Sequence, residues 1–342
     1  MTDHSRFKYY YPVIWMEERL YFEWRSGIEN GKSFFKSEAM MYEVVMVVAV
    51  EAMSTAGLGC DLCTEGDFAG ASREFKKAAG IFEYMNSSLL PNWIARGTDV
   101  VQQSMPAEAS LGVTLAFKTL FSAIGQQMAV ATVLMKPGTP NYSLVAKLCL
   151  GIADYFEVFV DTLRSKAPLV QEKMDEHFFT LVTFQIQLQK ALTSYFMARN
   201  IWDSNGDYGL AITMMNEARE MLKTRDSPTS SGLPKISAKS PLKALEADLS
   251  AVKIHITDVL RSWEKDNSTI YFSKVLSKVP EESRLTIGVQ IIKPEPYVLA
   301  EPDPLPLVLP SDHEVKPGNS KSQVQSDEEM ARALQASLNM TD

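Results

Sequence analysis

The chain has 342 residues, of which 46% are hydrophobic and 22% charged, the composition of an ordinary soluble globular protein. The net charge of −8 and the pI of about 5.2 lack the basic surface that nucleic-acid binding needs. Three cysteines are too few for a disulfide framework, and Met1–Arg19 does not resemble a signal peptide. We therefore expect a cytoplasmic protein that contacts membranes only peripherally.

The predicted elements are almost all helices. Aromatic and β-branched residues are concentrated near the N-terminus, where Leu20–Trp24 is predicted to form a short strand. Helical hydrophobic spacing follows, with breaks at Pro137–Pro140, Ser204–Gly206 and Ser227–Pro234. The predicted helices cover residues 33–56, 67–87, 105–135, 141–165, 169–201, 207–224 and 240–265. Since no second strand-rich region follows, the sequence predicts an all-α body.

Two turns in this body share one pattern, Gly-Asp-aromatic, at Gly66–Phe68 and Gly206–Tyr208. Each turn is followed by a small, a large and a small residue at the same spacing. These residues are Ala71, Phe75 and Ala78 after the first turn and Ala211, Met215 and Ala218 after the second. The spacing resembles the second helix of a tetratricopeptide repeat, and Gly59 lies where the first helix of such a repeat has a small residue. With only two matching units, the pattern predicts an irregular helical solenoid.

The composition changes after about residue 286. The stretch IIKPEPYVLAEPDPLPLVLP is rich in proline and is predicted to be extended or polyproline II. Because apolar residues alternate with the prolines, we expect part of this stretch to lie along the helical body. A polar linker, Ser311–Ser326, follows.

The segment SDEEMARALQASLN, residues 326–339, is predicted to form an amphipathic helix. Ser326 and Glu329 have the spacing of a capping box, and the acidic residues of the first turn suit the helix dipole. Five residues recur at helical spacing on one face: Met330, Ala333, Leu334, Ser337 and Leu338. A solitary helix of this length is marginal in water, so we expect it to bind a groove on another protein.

This helix resembles the ubiquitin-interacting motif, in the order acidic triplet, large apolar residue, alanine and serine. The resemblance implies that alanine allows close approach to ubiquitin, that serine hydrogen-bonds it, and that the acidic residues face a basic rim. The implied ubiquitin-binding residues are Asp327, Glu328, Glu329, Met330, Ala333, Leu334, Ser337 and Leu338. One departure is Met340, where the family often has an acidic residue.

The body resembles the ALIX-type Bro-one domain, a boomerang-shaped helical module of endosomal-sorting proteins. Three segments carry the resemblance, Gly66–Phe82, Leu144–Phe156 and Asp266–Pro280, within a match over roughly residues 7–300. The predicted domains are therefore a Bro-one-like helical domain at 1–300, a Pro-rich and polar linker at 301–325, and a ubiquitin-interacting helix at 326–340.

The Bro-one resemblance implies a scaffold that binds the C-terminal helix of an ESCRT-III subunit in a groove. The implied groove residues are Glu65, Leu144 and Leu148. Two positions depart from the family pattern, since Ala69 replaces a basic residue and Ala129 lies near the position of a large aromatic one. From the residues alone, Leu144 and Leu148 are more typical of ordinary helix core.

Other chemistry is poorly supported by the sequence. The loop Gly27–Ser33 is one residue too short for a phosphate-binding loop and is predicted to be a turn that starts a helix. Cys60 and Cys63 have zinc-like spacing, but two further ligands are lacking. The histidines are scattered singly, so no catalytic triad, metal site or cofactor is predicted.

The leading hypothesis is a non-enzymatic, cytoplasmic endosomal-sorting adaptor, recruited to endosomes, that binds an ESCRT-III subunit and ubiquitin. The alternative is a ubiquitin-binding helical repeat scaffold with an unrelated client. A nucleotide-dependent enzyme is a third hypothesis, resting only on Gly31-Lys32-Ser33.

Overall fold

The computed structural model describes residues 21–31, 33–94, 105–225, 232–237 and 239–300. The chain divides into two compact units, Met1–Val298 and Leu299–Asp342. The elements below all belong to the first unit. The predicted domain boundaries stay predictions, and the predicted ubiquitin-binding helix lies outside the described residues.

Two short strands precede a series of helices. The elements are β1 Phe22–Trp24, β2 Phe35–Ser37, α1 Met40–Glu65, α2 Phe68–Tyr84, α3 Leu90–Ile94, α4 Leu111–Met135, α5 Tyr142–Lys166, α6 Pro168–Gln171, α7 Glu176–Asn200, α8 Tyr208–Met221 and α9 Leu245–Asp266. The strands pair antiparallel, with Glu23 opposite Lys36. The predicted all-α class with a short strand region at its N-terminal end is confirmed.

The long helices stack in chain order. Helix α1 packs on α2, α2 on α4, α4 on α5, α5 on α7, α7 on α8, and α8 on α9. Each helix thus buries a stripe against its neighbours, as in a helical solenoid. One hydrophobic cluster fills the stack from α1 to α7, and a second joins α7, α8 and α9.

The repeated Gly-Asp-aromatic pattern forms the same local structure twice. Gly66 and Gly206 both have left-handed backbones, with φ of 84° and 70°, which glycine adopts without a steric penalty. Asp67 then accepts a hydrogen bond from the backbone of Gly70, and Asp207 caps α8 in the same way. The glycines end one helix and the aspartates begin the next.

The small residue expected in α1 is also in place. An added Cβ at Gly59 would lie 3.1 Å from the ring of Phe75 in α2, so the glycine lets the two helices approach closely. Packing against Phe75 offsets the low helix propensity of glycine, and α1 continues through Gly59 to Glu65.

The predicted first helix, 33–56, is wrong at both ends, because α1 begins later, at Met40, and ends later, at Glu65. Phe35–Ser37 pairs with β1 instead, and the hydroxyl of Tyr42 donates to the carbonyl of Phe35 (3.2 Å). Trp24 Nε1 donates to Glu43 (2.6 Å), so both strands are attached to the start of α1. The strand pair therefore overrides helical spacing up to residue 39.

The predicted helix 169–201 is also wrong at its start. The short α6 ends at Gln171, and α7 begins only at Glu176. The carboxylate of Asp175 accepts a hydrogen bond from the backbone of His177 (2.7 Å). This cap fixes the start of a new helix and so interrupts the continuous one.

Residues 284–297, here called the strap, cross the helices in extended form, as predicted for the part from residue 291 onwards. The strap bonds to α8, α5, α4, α2 and α1 in that order. Its contacts are Arg284 with Glu217 (2.6 Å), Val289 N with Lys147 O (2.8 Å), Ile291 N with Gln126 Oε1 (2.9 Å), Glu295 N with Lys76 O (3.2 Å) and Tyr297 OH with Glu51 Oε2 (2.6 Å). The strap therefore ties together helices that are distant in the stack.

Helix α1 is, within the described part of the chain, long and apolar enough to cross a membrane. Tyr42, Val45 and Ala49 of this helix are nevertheless buried in the hydrophobic cluster of the stack. One apolar helix is weak evidence for a membrane segment, because core helices have the same composition.

Candidate partner-docking site

Two of the predicted groove residues lie at helix ends, Glu65 at the end of α1 and Leu144 at the start of α5. Cys63 Sγ and Met128 Sδ lie 3.0 Å apart, so the end of α1 meets the second half of α4. Ser72 Oγ donates to the carbonyl of Gly125 (2.8 Å), which brings the start of α2 to the same region. Glu65, the last residue of α1, is exposed.

Leu144 lies in the first turn of α5, after the exposed loop that joins α4 to α5. The side chain of Asn141 caps this helix by accepting a hydrogen bond from Leu144 N (3.0 Å). The side chain of Leu144 is 47% exposed. The last residues of α4, Leu134 and Met135, are exposed as well, so apolar surface is present on both sides of the loop.

Leu148 lies one turn further along α5 and is only 4% exposed. Its carbonyl accepts a hydrogen bond from Gln126 Nε2 in α4 (2.9 Å), and the same nitrogen donates to Val289 O of the strap (2.8 Å). Leu148 therefore lies in the packed layer below the surface at Leu144. The assignment of Glu65, Leu144 and Leu148 to a docking groove stays a prediction.

The two departures from the family pattern lie on α2 and α4, which meet where Ser72 bonds to Gly125. Ala69 is exposed in the first turn of α2, and Ala129 in α4 is half-buried. Both side chains are small, so neither fills the space that a large aromatic or a long basic residue would occupy.

Sequence reasoning missed Gln126, which is fully buried in α4. A buried amide must satisfy its donors and acceptor within the protein, and this one does so with the backbones of α5 and the strap. The available signal was an amide in the apolar stretch LFSAIGQQMAV, at a position expected to face the core.

Burial and nearby charge perturb groups along the strap. The pKa of Asp154 is raised, first by burial and then by the negative charge of Glu157. A hydrogen bond from the backbone of Gly288 and the positive charge of Lys190 lower this pKa and so partly offset the rise. Burial and then the hydrogen bond with Glu51 raise the pKa of Tyr297 above its ordinary value. These groups hold the strap and do not form a catalytic arrangement.

A cavity of about 210 Å³ lies between α5, α7, α8 and the start of the strap. Its lining is largely apolar and includes Met197, Met214 and Met221. At its edge, Arg284 donates two hydrogen bonds to Glu217, both 2.6 Å long. These two charges pair with each other, so neither is free to bind a ligand at this edge of the cavity.

Metal and phosphate chemistry find little support in the described residues. No group of three or more His, Cys, Asp or Glu in this part of the chain could hold a metal ion. Burial raises the pKa of Cys60 and of Cys63, which disfavours the thiolates that a metal needs.

The loop at Gly27 also differs from a phosphate-binding loop. The carboxylate of Glu108 accepts a hydrogen bond from Gly27 N (2.7 Å). This amide is therefore already bonded to a carboxylate of the protein and is not free to bind a phosphate. The helix start expected after this loop is wrong, because β2 follows instead.

A family model described as BRO1-like domain matches residues 4–322 of the chain. The chain belongs to the BRO1-like domain family. The family expected from the three sequence segments is thus confirmed. A comparison with curated protein sequences found no match.

Solved BRO1-domain structures share this fold. An ALIX BRO1 CHMP4C complex matches with a TM-score of 0.62 and 16% identity, over 82% of this chain and 71% of that one. A crystal structure of ALIX in complex with the SIVmac239 PYKEVTEDL late domain matches with a TM-score of 0.64 and 15% identity, over 86% of this chain and 39% of that one. A structure described as the basis for endosomal targeting by the Bro1 domain matches with a TM-score of 0.60 and 18% identity, over 79% of this chain and 67% of that one. At these identities the likeness is one of fold.

Proposed function

We propose that this BRO1-like protein is a non-catalytic adaptor in endosomal sorting. Its helical body binds an amphipathic helix of an ESCRT-III subunit, and its C-terminal helix binds ubiquitin on a cargo protein. The protein would be cytoplasmic and recruited to endosomes through these partners. The observation that carries the proposal is the exposed Leu144 in a BRO1-like fold that also exposes Glu65.

The proposed docking surface combines apolar and acidic groups. Leu144 and Met135 expose apolar area that a partner helix can bury, while Glu65 can attract basic residues of that helix. A relative of similar fold was solved in a complex with CHMP4C, an ESCRT-III subunit, which supports a partner of this kind. With alanine at Ala69 and Ala129, the surface has room for larger side chains of the partner.

The two proposed contacts would act together. A short amphipathic helix that orders on binding gives a weak contact, and so does a single exposed apolar patch. Joining the two through the linker at residues 301–325 raises the effective concentration of the second contact once the first has formed. The adaptor would then select membranes that display both partners.

The body contact is tested by titrating the full chain with a peptide of the C-terminal helix of CHMP4C, using calorimetry. We expect Leu144→Asp to weaken binding about tenfold or more, since an exposed apolar contact becomes a desolvated charge. Val158→Asp is the matched control, because Val158 lies on the same helix and is 50% exposed. Equal effects of the two substitutions, or no binding by the wild type, would exclude this surface.

The ubiquitin contact is tested by NMR titration of labelled ubiquitin with the full chain. We expect Ala333→Arg to abolish the shift changes, because the long side chain prevents close approach of the helix. Asn339→Arg is the control, since the spacing places this residue opposite the predicted apolar face. Binding that survives Ala333→Arg would contradict the motif assignment.

A ubiquitin-binding scaffold with an unrelated client is the second candidate. It is favoured by the two alanines, Ala69 and Ala129, at positions where the family has larger residues. In that case ubiquitin binds through the C-terminal helix as above, but the CHMP4C peptide does not bind the body.

A further inference from the structure

Gln126 of α4 connects three parts of the protein through one side chain. Its Nε2 donates to Leu148 O of α5 (2.9 Å) and to Val289 O of the strap (2.8 Å). Its Oε1 accepts a hydrogen bond from Ile291 N (2.9 Å). All the hydrogen-bonding groups of this fully buried amide are therefore satisfied, and two of its three bonds go to the strap.

The strap is also fitted tightly to α5 at this crossing. Val289 N donates to the carbonyl of Lys147 (2.8 Å). An added Cβ at Gly151 would lie 2.2 Å from Val289 O, a distance that the two backbones could not tolerate without moving apart. The absence of a side chain at Gly151 thus leaves room for the strap, and the amide of Gln126 bonds the strap in this position.

The crossing lies directly beside the proposed docking surface. Leu144 is one turn before Leu148 on α5, and the bonds from the strap and from Gln126 end on the carbonyls of Lys147 and Leu148. These bonds fix how the first two turns of α5 sit against α4. They therefore fix where Leu144 stands relative to the exposed end of α4.

We infer that Gln126 is a positioning residue for partner docking, and that the strap must be seated on it for the surface at Leu144 to bind a helix. The inference rests on the proposed function and assigns to the same site a structural requirement. When the strap is bonded to Gln126, the docking surface is already ordered before the partner binds. The partner then does not lose binding free energy by ordering this surface. Releasing the strap leaves Leu144 exposed but lets α5 shift against α4, which speeds dissociation of the partner.

Two substitutions unseat the strap at this crossing by different means. Gln126→Leu keeps the volume of the side chain but removes its three hydrogen bonds. Gly151→Ala keeps the Gln126 side chain, but the added Cβ would lie 2.2 Å from Val289 O and 3.0 Å from Gln126 Nε2, so the strap and the end of that side chain must move away from α5. Gly80→Ala is the matched control, because its Cβ would lie 1.7 Å from Glu295 O and disturbs the strap at α2, away from Leu144.

The experiment combines hydrogen exchange with peptide binding, on the full chain and well below its melting temperature. Exchange of the Val289 and Ile291 amides reports whether the strap is seated at the crossing, and the Glu295 amide reports its seat on α2. Binding of the CHMP4C helix peptide reports the docking surface. We expect Gln126→Leu and Gly151→Ala to speed exchange at the crossing and to weaken binding about tenfold, mainly through the dissociation rate. Gly80→Ala should speed exchange at Glu295 and leave binding unchanged.

Several results would overturn the inference. Faster exchange at the crossing with wild-type affinity would mean that docking does not depend on the strap. Unchanged exchange would mean that these contacts do not hold it, and equal loss of affinity in Gly80→Ala would reduce the effect to general destabilisation. Absence of binding by the wild-type chain is a separate result that refutes the proposed docking itself. If both helix variants fail to melt cooperatively, Ile291→Pro removes the N–H bonded to Gln126 without changing a helix.

Discussion

The two Gly-Asp-aromatic turns have the same local structure but different surroundings. Both glycines are left-handed, and both aspartates cap the following helix. The first turn, Gly66–Phe68, leaves Glu65 and Ala69 exposed. The second, Gly206–Tyr208, also exposes its glycine and aspartate, but residues 267–276, which follow α9, pack on Tyr208 and Gly209.

The covering is specific to the second turn. Gly209, which occupies the position that Ala69 has in the first turn, is buried, and an added Cβ would lie 2.1 Å from Lys274 O. The ring of Tyr208 stacks on that of Tyr271, with centroids 3.6 Å apart. Trp202 contacts both of these rings and stacks on Trp263. A repeated sequence thus sets a repeated turn, while the residues after α9 decide whether the start of the following helix is exposed.

The largest effect expected from this difference is at the two equivalent positions. Gly209→Ala should lower the free energy of unfolding by about 2–3 kcal/mol, because the new methyl group forces the backbone at Lys274 to move. Ala69→Gly should cost only about 0.5–1 kcal/mol, the difference in helix propensity at an exposed site. Urea denaturation of both variants measures these values. Similar losses at the two sites would contradict the view that only the second turn is covered.

The local structure itself should respond equally at both turns. Gly66→Ala and Gly206→Ala should each cost about 1–2 kcal/mol, the penalty of a left-handed backbone for a residue with a Cβ. No atom lies within 4 Å of the Cβ that would be added at Gly66, and only the Tyr208 hydroxyl, at 4.0 Å, is near that at Gly206, so crowding adds little. Thermal and urea melts of the two variants provide the comparison. A loss at one turn much larger than at the other would mean that the turns are not locally equivalent.

The features that local sequence determines could be predicted. Helical spacing located most of the helices within a few residues, and the Gly-Asp pattern predicted both turns. Gly59 was expected to be small, and the structure shows the reason in the ring of Phe75. The extended, proline-containing stretch was correctly expected to lie along the body, because its apolar residues needed a surface to cover.

The features that depend on distant contacts could not be predicted. The pairing of β2 with β1 is decided by two segments that local spacing does not connect. Leu144 and Leu148 share one helical face in sequence, yet Leu148 is buried in the hydrophobic cluster against which Val289 of the strap packs, while Leu144 is exposed. A sequence shows that the strap has apolar residues but not which helix each of them meets.

The smallest expected effect is a pH dependence confined to the covered turn. The hydrogen bond with Tyr208, followed by the charge of that residue, raises the pKa of Tyr271 above its ordinary value of about 10. Above that pH the unfolded chain loses this proton before the folded protein does, so stability falls as pH rises towards the folded pKa. Phe68, at the first turn, has no proton to lose.

Urea denaturation of the wild type and of Tyr271→Phe between pH 8 and 11 isolates this contribution. Other tyrosines with raised pKa values, such as Tyr42 and Tyr155, are common to both proteins and cancel in the difference. We expect the stability of the wild type to fall more steeply with pH than that of the variant. Fluorescence of Trp202, which contacts the Tyr271 ring, should report the loosening at the covered turn. Parallel pH profiles would mean that the stacked tyrosines cover the second turn without their hydroxyl groups stabilising it.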